Sequence, residues 1–445
     1  MPTIYQNKID RILLLDAARG FAVLGVLWVN IYFFAMPYSI IAMPDVWGDV
    51  SNWSYISRFL VDVFGSGVMR GMLSVIFGAT AIMMLDRING SAQPVAEIDR
   101  YFKRLMVLIV FGLIHSYILL WPFDILYVYG LLGLFIFPLR SLSIGALRKI
   151  AATMFVLSMI AGGLQFGPNV DLSSTETKDL SLEQEVISPE ISDPEAEVLT
   201  EEFFAQAEEE LTTHMADVEI EILTRRSGYF TNFVAFFDLS FEEQTTEILK
   251  TQILDVGTFI IIGIILFKTG FLTCQLATST YVKIALGGFL CGICFGYISM
   301  VHGVENDADY MSTQLAFSYL YDPRRLGFVL GNLAILAIFI KTGFALSFIR
   351  RLADCGKMAL SLYISQTIIC NFLFMGYGLG LFAGYVHFEV TMFVVILVLI
   401  QYFAASAYLR VFGQGPLEIL MGKFLSKGKR LLPTTHREIP VPVGK

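Results

Sequence analysis

Residues 104–131 read RLMVLIVFGLIHSYILLWPFDILYVYGL. Two apolar runs are joined here only by Trp121-Pro122-Phe123, a link so short that the flanking segments must form an antiparallel helix pair. A histidine, His115, lies deep in the first run, and Asp124 follows the turn. Arg104 and His115 are eleven residues apart, so on a helix they share nearly one face, about 16 Å from each other.

Working outward, the same apolar texture fills most of the 445 residues. Hydrophobic residues make up 56% and charged residues only 16%. The mean hydropathy of +0.66 is far above that of a soluble domain. The fold expected is all-α, a polytopic membrane bundle of about ten helices at roughly 12–36, 56–85, 104–121, 124–140, 147–166, 252–273, 280–301, 327–348, 356–379 and 388–411.

Between Pro168 and Thr224 seventeen acidic residues face the single Lys178, which makes 167–250 a solvated acidic insert. Its first part reads as linker, Glu195–Leu223 as an amphipathic helix and Phe241–Leu249 as a second helix. The insert divides the chain into membrane halves of five spans each, 1–166 and 251–414. A short amphipathic helix and a tail follow, 415–445. The net charge of −8 belongs largely to the insert. Lys and Arg gather on alternate loops (Lys8/Arg11, 86–104, Arg140/Arg148/Lys149, Lys268/Lys283, Arg350/Arg351/Lys357, Lys423–Arg430), with Arg324/Arg325 the exception. Both termini are therefore expected to be cytoplasmic, with 167–250 on the other side.

A charge at the centre of a span costs about 2.5–3.5 kcal/mol even on lenient scales, so the polar residues at membrane depth are the candidates for chemistry. Asp16, Arg19 and Asn30 fall on the first span, and Arg19/Asn30 repeats the eleven-residue offset of Arg104/His115. Counted from one side, His115 and Asn30 lie at similar depth and are placed to meet. His115 with Asp124 has the make-up of a general base and its orienting carboxylate. Asp62 and Arg70 lie about 80° apart on the second span, so Arg70 calls for an anion or a carboxylate from elsewhere. Ser361, Tyr363, Ser365 and Gln366 form a polar stripe whose plain reading is helix–helix hydrogen bonding.

Five unpaired cysteines give no disulfide framework, and Cys291-Gly-Ile-Cys294 sits within an apolar helix as packing residues. There is no phosphate-binding glycine loop, dinucleotide fingerprint, His-Glu-x-x-His or nucleophile elbow. Neither a metal nor nucleic acid is expected.

Several stretches together resemble the YeiB-like bacterial membrane proteins, catalogued as domain of unknown function 418. They are Leu15-Asp16-Ala17-Ala18-Arg19-Gly20-Phe21-Ala22-Val23-Leu24-Gly25 with Asn30, His115 with Asp124-Ile125-Leu126, Gly356-Lys357-Met358-Ala359-Leu360-Ser361-Leu362-Tyr363 with Gln366, and Gly415-Pro416-Leu417-Glu418. More distantly, the Asp-x-x-Arg-Gly of the first helix is similar to that of transmembrane acyltransferases, including acyltransferase-3 proteins and the lysosomal heparan-glucosaminide acetyltransferase. Acyltransferase-3 proteins carry histidine where this chain has Asn30.

The resemblance implies a multi-pass protein of the bacterial inner membrane that moves an acyl group from cytoplasmic acyl-CoA to an envelope glycan or a small-molecule acceptor. His115 would deprotonate the acceptor, Asp124 would orient it, Asn30 would stabilise the oxyanion, and Arg19 with Arg104 would attract the donor phosphates. The lipid bilayer is the obligatory partner, and assembly into a homo-oligomer is left open. Two other readings compete: a transporter using Asp62, Arg70, His115 and Asp124 as its pathway, and a scaffold that binds partners through the insert.

Overall fold

In the computed structural model the residues described are 12–41, 51–165, 215–305 and 310–426. Among them every regular element is helical. The first part of the insert, most of the helix expected at Glu195–Leu223, both chain termini and the tail beyond residue 426 lie outside the described residues.

Apart from a four-residue turn of helix at Tyr38–Ile41, the helices are α1 Leu13–Ala35, α2 Asn52–Leu60, α3 Val68–Asp86, α4 Pro94–Leu113, α5 Leu126–Leu139 and α6 Ile144–Gln165. After the acidic stretch come α7 (215–225), α8 Tyr229–Gln244, α9 Ile253–Lys268, α10 Thr278–Glu305, α11 Tyr310–Thr342, α12 Leu346–Lys357, α13 Ala359–Phe374, α14 His387–Phe412 and α15 Pro416–Ser426. Each of the ten apolar blocks coincides with helix. Among the described residues eight helical stretches are long and apolar enough to cross a bilayer, the bent pair α12/α13 makes a ninth if counted as one span, and α5 is shorter. At 14 residues α5 is about 21 Å long, less than the roughly 30 Å hydrocarbon core. The chain is a multi-pass, all-α membrane protein, with large side chains such as Phe135, Leu290 and Ile396 left on its outer surface.

Three boundaries differ from the sequence reading. The second span is two helices, α2 and α3, separated by a π-helical turn at Val61–Gly65 and a left-handed Gly67. The helix expected at Phe241–Leu249 is replaced by α8, which runs through a second π turn at Ile248–Gln252 into α9, so no break falls at residue 250. The ninth span does not begin at 356. Residues 346–357 form their own amphipathic helix, and the chain turns by 76° at Met358 before α13.

α1 is the axis of the bundle, buried along most of its length and packed against α3, α12, α13 and α14. Its crossing with α12 is a backbone contact. A Cβ on Gly20 would run into the carbonyl of Leu352, and one on Gly356 into the carbonyl of Asp16. Only two facing glycines allow this approach, and the same device recurs between α3 and α9 at Gly78 and Gly263. The two family-like stretches at Asp16–Gly20 and Gly356–Ser361 are thereby one contact in space.

The stretch Gly415-Pro416-Leu417-Glu418 joins them. Glu418 on α15 accepts hydrogen bonds from the first amides of α13, Leu360 N at 2.9 Å and Ser361 N at 3.2 Å, and from the Ser361 hydroxyl. A carboxylate at a helix N-terminus satisfies donors that the bent pair leaves open. Ser361 Oγ in turn accepts from Leu417 N at 3.0 Å. The start of α1 and the end of α14 thus lie at one end of the bundle.

Gly356→Ala is expected to force α1 and α12 apart at a cost of about 1–3 kcal/mol, read as a lower melting temperature of the detergent-purified protein. Gly422→Ala, at a position with nothing within 4 Å of the added carbon, is the control expected to leave the melt unchanged or raised.

Candidate functional site

α4 does not end in a regular turn. Its last residues widen into a π-helical turn, Ile114–Ile118, a form that recurs at functional sites. Leu120 then takes a left-handed conformation and Trp121 N donates to the His115 carbonyl at 3.1 Å, closing the turn. The chain doubles back so that Asp124 Oδ1 lies 2.7 Å from His115 Nδ1, while its other oxygen accepts from Tyr127 N at 2.8 Å. Gly112 makes room for this: a Cβ there would lie 2.6 Å from Asp124 Oδ2.

The far side of the imidazole meets α13. His115 Nε2 is 2.8 Å from Thr367 Oγ1. His115, Thr367 and Asp124 are 0%, 2% and 5% exposed, so the pair of hydrogen bonds is sealed from solvent. A carboxylate can only accept, so Nδ1 carries a proton, and in the neutral imidazole Nε2 accepts from the threonine hydroxyl. Asp124, His115 and Thr367 form a linear relay from carboxylate to imidazole to hydroxyl.

α13 braces this turn at successive helical turns. Tyr363 packs its ring against His115 edge to face, centroids 4.9 Å apart, and accepts from Trp121 Nε1 at 3.2 Å. Asn371 Nδ2 donates to Leu119 O at 2.6 Å. Trp121 is stacked on Phe34 of α1 at 4.3 Å. Sequence reasoning found His115, Asp124 and Tyr363 but missed Thr367 and Asn371. The signal was the four-residue spacing 363–367–371, one polar face of α13.

Towards the other end of α13 lies a cavity of about 270 Å³ lined by Asp16, Arg19, Arg104, Lys357, Tyr363 and Glu418, among others. Arg19 and Arg104, paired by sequence offset, do line one space. Arg19 contacts Asp16 at 3.4 Å and Lys357 contacts Asp354 at 2.8 Å. Arg104 has no carboxylate partner among the described residues. Its Nη1 touches the Met84 sulfur at 2.9 Å, and its buried Nε has no hydrogen-bond partner there. Tyr363 is shared: one side of it faces the cavity and its ring covers His115.

The remaining candidates disperse. Asn30, half-buried on α1, is not a hydrogen-bond partner of His115, whose two ring nitrogens go to Asp124 and Thr367. Equal depth does not fix rotation about a helix axis. Asp62 pairs with Arg58 one turn earlier at 2.5 Å, across the π turn from Arg70. Arg70 finds its carboxylate on α9, Asp255, at 2.5 Å. Asp255 also binds the fully buried Arg325, which bonds Asp322 at 2.8 Å. Arg324 is spent on the carbonyls that end the π turn, Asp62, Val63 and Ser66. The arginines that broke the loop pattern are interior residues of α11. Gln366 holds α1 and α14, donating to Val23 O at 3.0 Å and Gln401 Oε1 at 2.9 Å, the helix–helix role expected of that stripe. Among the described residues no group of three or more His, Cys, Asp or Glu is placed to hold a metal ion.

Residues 266–427, which include α12, α13 and α15, match the family described as "Protein of unknown function (DUF418)". The chain is similar to "Uncharacterized protein YeiB" of Escherichia coli (strain K12), 24% identical over 92% of this chain and 95% of the relative. It is also similar to "Uncharacterized protein YxaH" of Bacillus subtilis (strain 168), 29% identical over 34% of this chain and 38% of the relative. No solved structure matches it.

In a His115→Ala/Asp124→Ala double-mutant cycle, the two losses of stability should be non-additive by about 1–3 kcal/mol, because either single change strands a buried partner. Gly112→Ala should reproduce most of the Asp124→Ala loss in the same melting assay. Additive losses would mean that the pair is not coupled.

Proposed function

For this chain, a YeiB-like member of the DUF418 family, we propose acyl transfer across the membrane as the function. One observation carries the reading. A buried carboxylate–imidazole–hydroxyl relay lies one helical turn, at Tyr363, from a cavity that gathers Arg19, Arg104 and Lys357.

The cavity suits an anionic donor. An unpaired guanidinium inside a membrane protein is costly, and a phosphate would satisfy it with charge-assisted hydrogen bonds. Arg104, with its buried Nε unpartnered, is the residue that most needs one. Arg19 and Lys357 each share their charge with a neighbouring carboxylate and add to the field at the mouth. Acyl-CoA, with phosphates at one end and a thin pantetheine–acyl arm at the other, suits a cavity whose lining combines these cations with the apolar Val23, Leu73 and Phe77. The donor's thioester would then approach Tyr363.

His115 is the base, held in one tautomer by Asp124 as in other hydrogen-bonded carboxylate–histidine pairs. No hydrogen bond links Asn30 to His115, whose ring nitrogens go to Asp124 and Thr367. The lysine and arginine bias of the loops supports a cytoplasmic position for the cavity end, in a bacterial inner membrane, with the acidic insert and the acceptor, a glycan or small molecule of the envelope, on the opposite side. Transport draws less support. Asp62, Arg70 and Asp255 are closed into ion pairs with neighbouring side chains, and no hydrogen bond connects them to His115.

Isothermal titration of the purified protein with CoA should show saturable binding, and Arg104→Gln should weaken it about tenfold or more, the loss of one charge-assisted contact. Absence of CoA binding, together with absence of acetyl-CoA turnover, would remove the reading.

A further inference from the structure

The relay ends on a hydroxyl that general-base catalysis by His115 does not itself require. We infer that Thr367 is a nucleophile that takes the acyl group as an ester before the acceptor receives it. The inference rests on the acyl-transfer reading above and specifies its course: two half-reactions through Thr367 rather than one direct transfer.

Three observations carry it. Thr367 Oγ1 is 2.8 Å from His115 Nε2, the nitrogen left to accept once Asp124 holds Nδ1. A hydroxyl so placed loses its proton to imidazole as it attacks, and the carboxylate stabilises the imidazolium formed. Next, the relay is braced on both sides: Asp124 by Tyr127 N, the His115 backbone by Trp121 N, and the α13 residues on either side of Thr367, Tyr363 and Asn371, by Trp121 and Leu119. Finally, Thr367 lies one turn along α13 from Tyr363, which lines the cavity, so displacement of one phenol side chain would connect the donor space to the hydroxyl.

The plain alternative is a threonine that merely satisfies a buried histidine. A backbone N–H or a glutamine amide would serve that purpose equally by donating to Nε2, and neither would leave a nucleophilic oxygen on the acceptor nitrogen of a carboxylate-backed imidazole.

The chemistry balances without any further reagent. Thr367 Oγ attacks the thioester carbonyl, a C–O bond forms and the C–S bond breaks. The hydroxyl proton passes to His115 Nε2 and from there to the departing thiolate, so free CoA leaves and acyl-Thr367 remains. In the second half, the acceptor's hydroxyl or amine gives its proton to Nε2 and attacks the ester. The C–O bond to Thr367 breaks, and His115 returns the proton to its oxygen. Burial protects the ester from water between the two steps.

The first half-reaction needs no acceptor, so it can be tested with the acceptor unidentified. The full-length protein in detergent is mixed with acetyl-CoA, or in parallel palmitoyl-CoA, and free CoA is quantified by chromatography while the protein is digested for mass spectrometry. The expected result is one equivalent of CoA released per protein, with the acyl group on the peptide carrying Thr367 as a hydroxylamine-labile ester. Thr367→Ser should keep the ester; Thr367→Val should lose it while still binding CoA; His115→Ala should slow its formation about 100-fold or more.

If the wild-type protein binds or turns over acyl-CoA but no ester forms on Thr367, or if Thr367→Val transfers as fast as wild type, the inference is overturned and the acyl-transfer reading stands. If acyl-CoA is neither bound nor turned over, both fall. The peptide analysis on wild type decides the question even if Thr367→Val fails to fold.

Discussion

The contact between Gly20 and Gly356 sets the positions of the helices that carry the site. Two helices that touch backbone to backbone cannot slide or rotate freely, because any side chain at either glycine would collide with a carbonyl of the other helix. α12 is thereby held across the start of α1. The 76° turn at Met358 is the consequence, since α12 cannot continue in its own direction and also cross the bundle. The turn leaves the first amides of α13 without intrahelical partners, and Glu418 of α15 supplies them. α13 then descends with Tyr363, Thr367 and Asn371 directed at the His115 turn. Three stretches far apart in sequence are in this way one mechanical unit.

Two kinds of buried charge can be told apart on this scaffold. Asp255 lies between Arg70 and Arg325, and Arg325 reaches Asp322 as well, so two carboxylates and two guanidinium groups neutralise one another between α3, α9 and α11. Removing one member of such a group strands the others, which is costly. Replacing the whole group by apolar residues need not be, so its presence says little about chemistry. Arg104 is different. It sits in the wall of a cavity with a sulfur as its named contact and no carboxylate partner among the described residues. Pairing within the protein accounts for the first set and leaves Arg104 wanting an anion from outside.

What the sequence disclosed was local. The three-residue link at Trp121-Pro122-Phe123 was enough to bring Asp124 back to His115, and the block pattern was enough to place helix under every apolar run. Arg19 and Arg104 line one cavity, Arg19 from the first part of α1 and Arg104 from the middle of α4. The misses were long-range. No pattern within residues 346–357 announces that they cross α1 instead of forming a loop; a glycine 336 positions earlier decides it. Asp255 goes unremarked in the sequence and gains its partners only when α9 is laid beside α3 and α11. Thr367 hid among hydroxyl residues that usually tie helices together, and its neighbour Gln366 does just that. The Arg19/Asn30 offset did not bring Asn30 into a hydrogen bond with His115, because helical rise follows from residue count whereas azimuth depends on packing.

The described part of the acidic insert bears on the same turn from its far side. Arg226 of the α7–α8 link donates twice to Phe382 O, and Tyr229 OH donates to Ile118 O at 2.8 Å, the last residue of the π turn that carries His115. Phe237 of α8 packs against Tyr117 of that turn. The relay is therefore covered by Tyr363 towards the cavity, while α8 braces the far side of its turn. An imidazole enclosed in this way is shielded from bulk solvent, and both of its ring nitrogens are taken, by Asp124 and Thr367. Chemistry there requires that one cover open at a time. A side chain such as Tyr363, rotating about two bonds, is the least costly element to move, whereas displacement of α8 would break the Tyr229 contact together with the aromatic packing behind it.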